Sequence, residues 1–148
     1  MEKSLPKILA VEDDLSSIAL LKLILEAYSE LIIAKNGEEA LEKASSCNPD
    51  LVLVDLDLPD ISGIEVCRRL KADPTLTDVP IIFLTGYSDI MFEAQAFEAG
   101  AIDYIVKPVS PYRVLMRVNA HLNIRLPDRS KMRELLNRQL ETSEHSRT

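Results

Sequence analysis

The feature that most constrains this chain is a short apolar run that ends in a carboxylate, Leu51-Val52-Leu53-Val54-Asp55. Turn-forming residues bound the run, with Asn48-Pro49 before it and Pro59 after it. An unbroken run of this kind is typical of a parallel strand that is buried on both faces. A carboxylate at its end lies at the rim of the sheet, where open α/β folds bind and transform their ligands. We therefore interpret the rest of the chain around Asp55.

Four other short apolar runs alternate with segments of helical periodicity. The five predicted strands are residues 7–11, 31–34, 51–55, 81–84 and 102–106. Strands that alternate with helices predict a parallel sheet covered on both faces. Right-handed crossovers leave few topologies, and the five-stranded one is the flavodoxin-like, doubly wound (βα)5 fold with strand order 2-1-3-4-5. We predict this α/β fold, with a C-terminal helical extension.

Apolar residues at helical spacing predict which face of each helix is buried. The predicted faces are Ile18, Leu21, Ile24, Leu25 and Tyr28 in the first helix, Ala40, Leu41 and Ala44 in the second, Ile64, Cys67 and Leu70 in the third, Ile90, Ala94 and Phe97 in the fourth, and Val114, Leu115, Val118 and Leu122 in the fifth. Cys47 and Cys67 both fall on helices without CxxC spacing, so we expect two buried, reduced thiols.

Capping residues predict where several helices begin and end. Asn36 and Ser62 each precede a glutamate by three residues, the spacing of a capping box. Ser88 is the predicted N-cap of the fourth helix, and Gly100 is placed at the C′ position after it.

Charge and composition exclude some classes of protein. The 148 residues carry a net charge of −7, and residues 127–148 hold five basic and four acidic side chains, so residues 1–126 carry about −8. This balance argues against nucleic-acid binding by the main domain, because such binding needs a basic face. No apolar run approaches the ~20 residues of a membrane span, and the N-terminus lacks signal-peptide features, so we expect a cytoplasmic protein with no membrane partner.

The chain divides into residues 1–126, the main domain, and residues 127–148, a helical tail. Met132, Leu135, Leu136 and Leu140 give the tail a narrow apolar seam after Pro127. Two interpretations stay open: a helical linker that is partly frayed in isolation, and the start of a coiled coil that leads to a further module. We expect residues 141–148 to be disordered.

The predicted strand order brings chemically complementary residues to one crevice. Strands one and three are neighbours, so Glu12 and Asp13 meet Asp55, and Thr85 and Lys107 arrive from the next two strand ends. Clustered carboxylates need a compensating cation, and hard oxygen ligands suit Mg²⁺. Mg²⁺ would hold Asp55 ionised as a nucleophile, while lysine and hydroxyl groups stabilise a phosphoryl group. The residues therefore favour phosphoryl transfer to Asp55.

These residues resemble the receiver domain of two-component response regulators. The resemblance covers residues 6–124 and rests on Ile8-Leu9-Ala10-Val11-Glu12-Asp13-Asp14, on Asp50-Leu51-Val52-Leu53-Val54-Asp55 with Pro59 and Gly63, on Phe83-Leu84-Thr85-Gly86, and on Ala99-Gly100-Ala101-Ile102-Asp103-Tyr104 to Lys107-Pro108. Each motif is weak alone, but together, in this order and at these spacings, they are highly specific.

The resemblance implies a role for each site residue. The phosphoacceptor is Asp55, and the Mg²⁺ ligands are Asp13, Asp55, the backbone carbonyl of Asp57 and, through water, Glu12. The residues that hold the phosphoryl group are Thr85 and Lys107, and the implied switch residues are Thr85 and Tyr104. The Lys107-Pro108 bond is expected to be cis.

The resemblance also implies partners. A histidine kinase, a phosphotransfer protein or a small phosphodonor would supply the phosphoryl group. The surface formed by the fourth helix, the fifth strand and the fifth helix would then bind an output module, a downstream protein or a second copy of the chain. The chain would act as a signalling phosphoacceptor and not as an enzyme that turns over a separate substrate. The sequence of the fifth helix, around Val118 and His121, resembles receivers that act on kinase or diguanylate-cyclase modules more than those that act on DNA-binding ones.

Two alternatives and one departure accompany this interpretation. Asp55 and Asp57 also resemble the nucleophile motif of haloacid-dehalogenase-type phosphatases, although Leu58 replaces its Thr or Val and the acidic pair Glu12-Asp13 precedes the nucleophile. A binding module that works without phosphorylation is the second alternative. Asp57 departs from the common receiver pattern, and we hypothesise that its carboxylate changes the lifetime of the phosphoryl group.

Overall fold

The structure is a computed structural model that describes residues 5–86, 90–122, 133–134 and 137. Its centre is a five-stranded parallel sheet whose strands follow the order β2-β1-β3-β4-β5. The strands are β1 (Lys7–Val11), β2 (Glu30–Ala34), β3 (Leu51–Asp55), β4 (Ile81–Thr85) and β5 (Asp103–Val106). The predicted fold class and strand order are confirmed, and three strand ends differ from the prediction by one residue.

Five helices cover both faces of the sheet. They are α1 (Leu15–Leu25), α2 (Gly37–Cys47), α3 (Gly63–Ala72), α4 (Ile90–Glu98) and α5 (Pro111–Leu122). Side chains of α2, α3 and α4 share one core cluster with alternate residues of the sheet, and side chains of α1 and α5 share the other. In the described part of the chain no helix is long and apolar enough to span a bilayer.

The central strand β3 is buried along its whole length, as the apolar run predicts. Side chains of a strand alternate between the two faces of a sheet. Val52 and Val54 therefore join the cluster on the α2–α4 face, while Leu51 and Leu53 join the cluster on the α1–α5 face. A strand with apolar partners on both sides has a fixed register, and this fixes the position of Asp55 at its end.

Capping side chains begin α2 and α3 where the sequence predicts them. The Asn36 side chain accepts a hydrogen bond from the N–H of Glu39 at 2.8 Å, and the Ser62 hydroxyl accepts one from the N–H of Glu65 at 3.1 Å. The reciprocal half of the capping box is absent from both: Glu39 accepts a hydrogen bond from the Lys35 N–H, and Glu65 pairs with Arg69.

The predicted buried face of α4 is wrong. Ala94 and Phe97 are exposed, Phe97 by 46%, while Ala96 and Ala99 are buried. The small alanine side chains join the core cluster, and the larger ring of Phe97 faces outward. Gly100 ends the helix as predicted, with φ at 109° and its N–H bonded to the Phe97 carbonyl at 3.0 Å. The Ser88 cap and the Ile90 side chain lie outside the described residues.

The other helices bury the faces that the spacing predicts, with Leu41, Ile64 and Leu122 half-buried. Tyr28 is an exception, because α1 ends at Leu25 and Tyr28 lies half-buried in the turn that follows.

Of the two cysteines, Cys67 is buried and Cys47, the last residue of α2, is only half-buried, so the prediction of two buried thiols is half wrong. Both thiols are free. Of the helical tail predicted for residues 127–148, only residues 133, 134 and 137 are described, so the tail and the domain boundary stay predictions.

Candidate functional site

The carboxyl ends of four neighbouring strands bring the candidate residues to one edge of the sheet. Val11 of β1 pairs with Val54 of β3. The next residues in sequence, Glu12 and Asp55, therefore reach the same edge of the sheet. Thr85 ends β4 and pairs with Val106 of β5. Lys107 follows β5 directly, and its N–H donates a hydrogen bond to the Thr85 carbonyl at 2.7 Å.

Three carboxylates form a compact cluster at this edge. Glu12, Asp13 and Asp55 each offer an oxygen that lies within 4.8 Å of the others. Glu12 is fully buried and Asp55 is 5% exposed, whereas Asp13 is exposed. Asp14, the third acid of the run after β1, has a different role, because its side chain accepts the Ser17 N–H at 2.9 Å and caps α1.

Lys107 lies between two of the three carboxylates. Its Nζ is 2.8 Å from Glu12 Oε2 and 3.0 Å from Asp55 Oδ2. The contact to Asp55 is a hydrogen bond, while that to Glu12 is an ion pair without hydrogen-bond geometry at Oε2. Burial by itself lowers the pKa of Lys107, but the two carboxylates raise it by more, so the net pKa lies above its ordinary value. Lys107 is therefore charged at neutral pH.

The charges of the cluster remain unbalanced despite this lysine. Burial raises the pKa of Glu12, although Lys107 and the N–H of Asp14, which donates to Glu12 Oε1 at 3.1 Å, oppose the shift. One ammonium faces three carboxylates, and like charges disfavour ionisation. The donor set consists of oxygens with one exposed member, which fits a small hard cation such as Mg²⁺ that retains bound water. Glu12, Asp13 and Asp55 are the side chains that would hold it.

The loop after β3 fixes the surroundings of Asp55. The N–H of Asp57 donates to Asp55 Oδ1 at 3.2 Å, and the side chain of Asp57 is exposed. Gly63 opens α3 directly against the β3 backbone. A Cβ at this position would clash with the Asp55 carbonyl oxygen and lie 2.9 Å from the Cα of Leu56. Only glycine fits this approach without a shift of the strand end that carries Asp55.

Thr85 and Tyr104 lie on the same side of the sheet. Thr85 is buried and comes two residues after Phe83, so its side chain leans toward the face covered by α2, α3 and α4. Tyr104 is half-buried, pairs with Phe83 in register and packs against the same core cluster. The Lys107-Pro108 peptide bond is cis, the isomer that the resemblance implies.

The structure adds one residue that the sequence does not single out. Asp60 lies in the turn after Pro59, and its carboxylate accepts hydrogen bonds from the N–H groups of Gly37 at 2.7 Å and Glu38 at 2.9 Å. These partners precede Asp60 by 23 and 22 residues. No local pattern could have indicated the contact, because it depends on the packing of α2 beside α3.

Comparison with known proteins identifies the family. The family model of the response regulator receiver domain matches residues 8–119. The transcriptional regulatory protein ResD of Bacillus subtilis is 44% identical over 117 residues, which is 78% of this chain and 48% of ResD. The DNA-binding response regulator MtrA of Mycobacterium tuberculosis is 35% identical over an alignment that covers 100% of this chain and 64% of MtrA.

A solved structure shows the same relationship. The chemotaxis response regulator CheY4 of Vibrio cholerae superimposes with a TM-score of 0.77 at 28% identity, covering 80% of this chain and 100% of CheY4. The chain spans 48% and 64% of the length of the two regulators above. The family match covers all four strand ends of the site. The chain belongs to the response regulator receiver domain family.

Proposed function

We propose that Asp55 accepts a phosphoryl group in a Mg²⁺-dependent reaction and that the modified chain signals to a partner. The observation that supports this most is the position of Lys107 Nζ, 3.0 Å from Asp55 Oδ2 at the end of the central strand. A cation there can neutralise the oxygens of an incoming phosphoryl group. Phosphoryl transfer depends mainly on such positioning and charge stabilisation.

Each residue of the site has a part in the proposed reaction. Asp55 attacks phosphorus and forms an O–P bond, while the bond from phosphorus to the imidazole of a histidine kinase, or to acetate in acetyl phosphate, breaks. Lys107 and the hydroxyl of Thr85 hold the phosphoryl oxygens. Glu12, Asp13 and the backbone carbonyl of Asp57 are the proposed Mg²⁺ ligands besides Asp55. Bound Mg²⁺ supplies positive charge to the phosphoryl oxygens.

The proposed switch involves Thr85 and Tyr104. A phosphoryl group on Asp55 draws Thr85 inward, and the Tyr104 ring turns into the space that Thr85 leaves, which alters the outer surface of α4, β5 and α5. This surface carries apolar side chains suited to a protein partner. Phe97, Ile102, Tyr112 and Met116 are 46%, 49%, 39% and 42% exposed, respectively. Phe97 lies on α4, Ile102 directly precedes β5, and Tyr112 and Met116 lie on α5, so each element of the proposed surface has an exposed apolar side chain on it or beside it.

The proposed partners are a histidine kinase or phosphotransfer protein as donor, and an output module, a downstream protein or a second copy of the chain at the α4–β5–α5 surface. The net charge of −7 argues against direct contact of this domain with nucleic acid. Two free thiols fit a reducing compartment, so we place the protein in the cytoplasm.

The family match disfavours the haloacid-dehalogenase-type phosphatase, and the complete set of acceptor residues disfavours a module that works without phosphorylation.

The test is incubation with acetyl phosphate and Mg²⁺, followed by intact-mass analysis. We expect one phosphoryl adduct per chain in the wild type and none in Asp55→Asn. Asp78→Asn is the matched control, because it removes an exposed carboxylate of the loop before β4 and leaves the proposed acceptor intact. Absence of an adduct in the wild type, or an adduct in Asp55→Asn, would overturn the proposal. Repeated turnover of a phosphate ester would favour the phosphatase.

A further inference from the structure

Asp60 binds two N–H groups in the first turn of α2 that the local cap does not reach. Asn36 already caps the helix through the N–H of Glu39. The two carboxylate oxygens of Asp60 satisfy the two preceding N–H groups, with Oδ1 bound to Gly37 and Oδ2 to Glu38. Carboxylates at a helix N-terminus interact favourably with its partial positive charge. The contact therefore fastens the loop between β3 and α3 to α2.

Packing strengthens the same attachment. A Cβ on Gly37 would collide with Ile61 Cγ1 and come within 3.0 Å of Val66 Cγ2. The Ile61 side chain therefore lies directly on the bare backbone of Gly37, next to the hydrogen bonds of Asp60. A carboxylate and an apolar side chain, adjacent in sequence, hold one short stretch of α2. We call Asp60, Ile61 and Gly37 the loop clamp.

The other end of the loop is held against β3. Gly63 packs on the Asp55 carbonyl, and its N–H donates to the Leu56 carbonyl at 3.0 Å. Residues 57–59 therefore span the short distance between the end of β3 and the loop clamp. Asp57 lies in this span, and its N–H donates to Asp55 Oδ1 at 3.2 Å. The backbone of Asp57 is thus oriented from both sides, although its side chain is exposed.

We propose that Asp60 is a positioning residue for the cation site, which acts by holding the loop so that the backbone carbonyl of Asp57 is placed for Mg²⁺. This inference rests on the proposed function, in which that carbonyl is a ligand. Ordering a free loop residue on binding costs backbone conformational entropy. A loop that is clamped before the cation arrives does not incur this cost on binding, so the site binds Mg²⁺ more tightly.

The experiment measures Mg²⁺ binding by isothermal titration calorimetry with MgCl2, together with thermal unfolding in Mg²⁺-free buffer. For Asp60→Ala we expect the Kd for Mg²⁺ to rise about tenfold, the lower end of the range for residues that orient metal ligands. Asp60→Asn keeps one acceptor oxygen, so its Kd for Mg²⁺ should lie between those of the wild type and Asp60→Ala. Gly37→Ala displaces Ile61 and loosens the clamp without removing a charge, so it should also weaken binding.

Asp73→Ala is the matched control, because it too removes a carboxylate that accepts hydrogen bonds, from Thr75 N at 2.9 Å and Oγ1 at 2.8 Å, but at the far end of α3. Its Kd should stay within about twofold of wild type, since long-range charge effects at an exposed site are small. If Asp60→Ala had an unchanged Mg²⁺ affinity and a lowered unfolding temperature, Asp60 would act only as a helix cap and the inference would be overturned. If the wild type itself binds no Mg²⁺ and takes no phosphoryl group, the proposed function and this inference both fail.

Discussion

Lys107 Nζ lies 3.0 Å from Asp55 Oδ2, although the two residues are 52 positions apart in the chain. The contact joins the end of the central strand to the end of the edge strand β5. The same ammonium is 2.8 Å from the fully buried Glu12 carboxylate. One lysine thus compensates two buried acids, and removing its charge should affect both folding and phosphoryl uptake.

Lys107→Met retains most of the aliphatic stem and removes the charge. Without Mg²⁺ we expect a loss of about 1–3 kcal/mol in the free energy of unfolding at pH 7, because two carboxylates lose their charged partner. Urea denaturation measures this loss, and added Mg²⁺ should restore part of it. Arg69→Met, which breaks the exposed pair with Glu65, is the control and should cost about 0.5 kcal/mol or less. Equal losses in the two variants would show that the Lys107 contacts contribute little.

Gly63→Ala tests the close approach of α3 to the Asp55 carbonyl. The added methyl group must displace backbone, so we expect a loss of about 1–3 kcal/mol in stability and slower phosphoryl uptake from acetyl phosphate. Gly86→Ala is the matched control, because no atom lies within 4 Å of its built Cβ. Its stability should stay within about 0.5 kcal/mol of wild type. If Gly63→Ala behaves like Gly86→Ala, then the approach is not tight in solution.

Burial of Cys67 predicts a loss of stability at alkaline pH. Burial raises the pKa of its thiol from 9.0 to about 11, and Sγ lies 3.3 Å from the Ala99 carbonyl. The folded state therefore binds this proton more tightly than the unfolded state does. The stability that results is complete below pH 9 and is lost as the pH rises toward 11, by about 2–3 kcal/mol in total.

The measurement compares urea denaturation of the wild type and Cys67→Ala across this range. The variant loses packing at every pH, so the informative quantity is the change in its difference from wild type, which should shrink between pH 9 and 11. Cys47→Ala, at a half-buried thiol, is the control and should show a smaller change. A pH-independent difference for Cys67→Ala would refute the predicted thiol pKa.

Much of this molecule was predictable because its functional residues follow strands. Alternating strands and helices specify the sheet order, and the order alone places Asp13, Asp55 and Lys107 at one edge. The contacts of Asp60 with α2 were not predictable, because they join segments more than 20 residues apart through packing and not through a repeating pattern. The prediction for the buried face of α4 was wrong, since it gave weight to the large side chain of Phe97, whereas Ala96 and Ala99 are the residues that are buried.

Asp57→Asn tests whether the exposed carboxylate beside Asp55 sets the lifetime of the phosphoryl group. Asp57 is two residues after the proposed acceptor, and its N–H already bonds to Asp55 Oδ1. A unit charge at a solvent-exposed rim is worth about 1 kcal/mol, which corresponds to about a fivefold change in the rate of dephosphorylation. We therefore expect the phosphoryl adduct of Asp57→Asn to decay at a different rate, measured by intact mass over time after acetyl phosphate is removed. Asp78→Asn removes an exposed carboxylate of the loop before β4 and should decay as the wild type does. Identical decay of Asp57→Asn and wild type would mean that the carboxylate takes no part in hydrolysis.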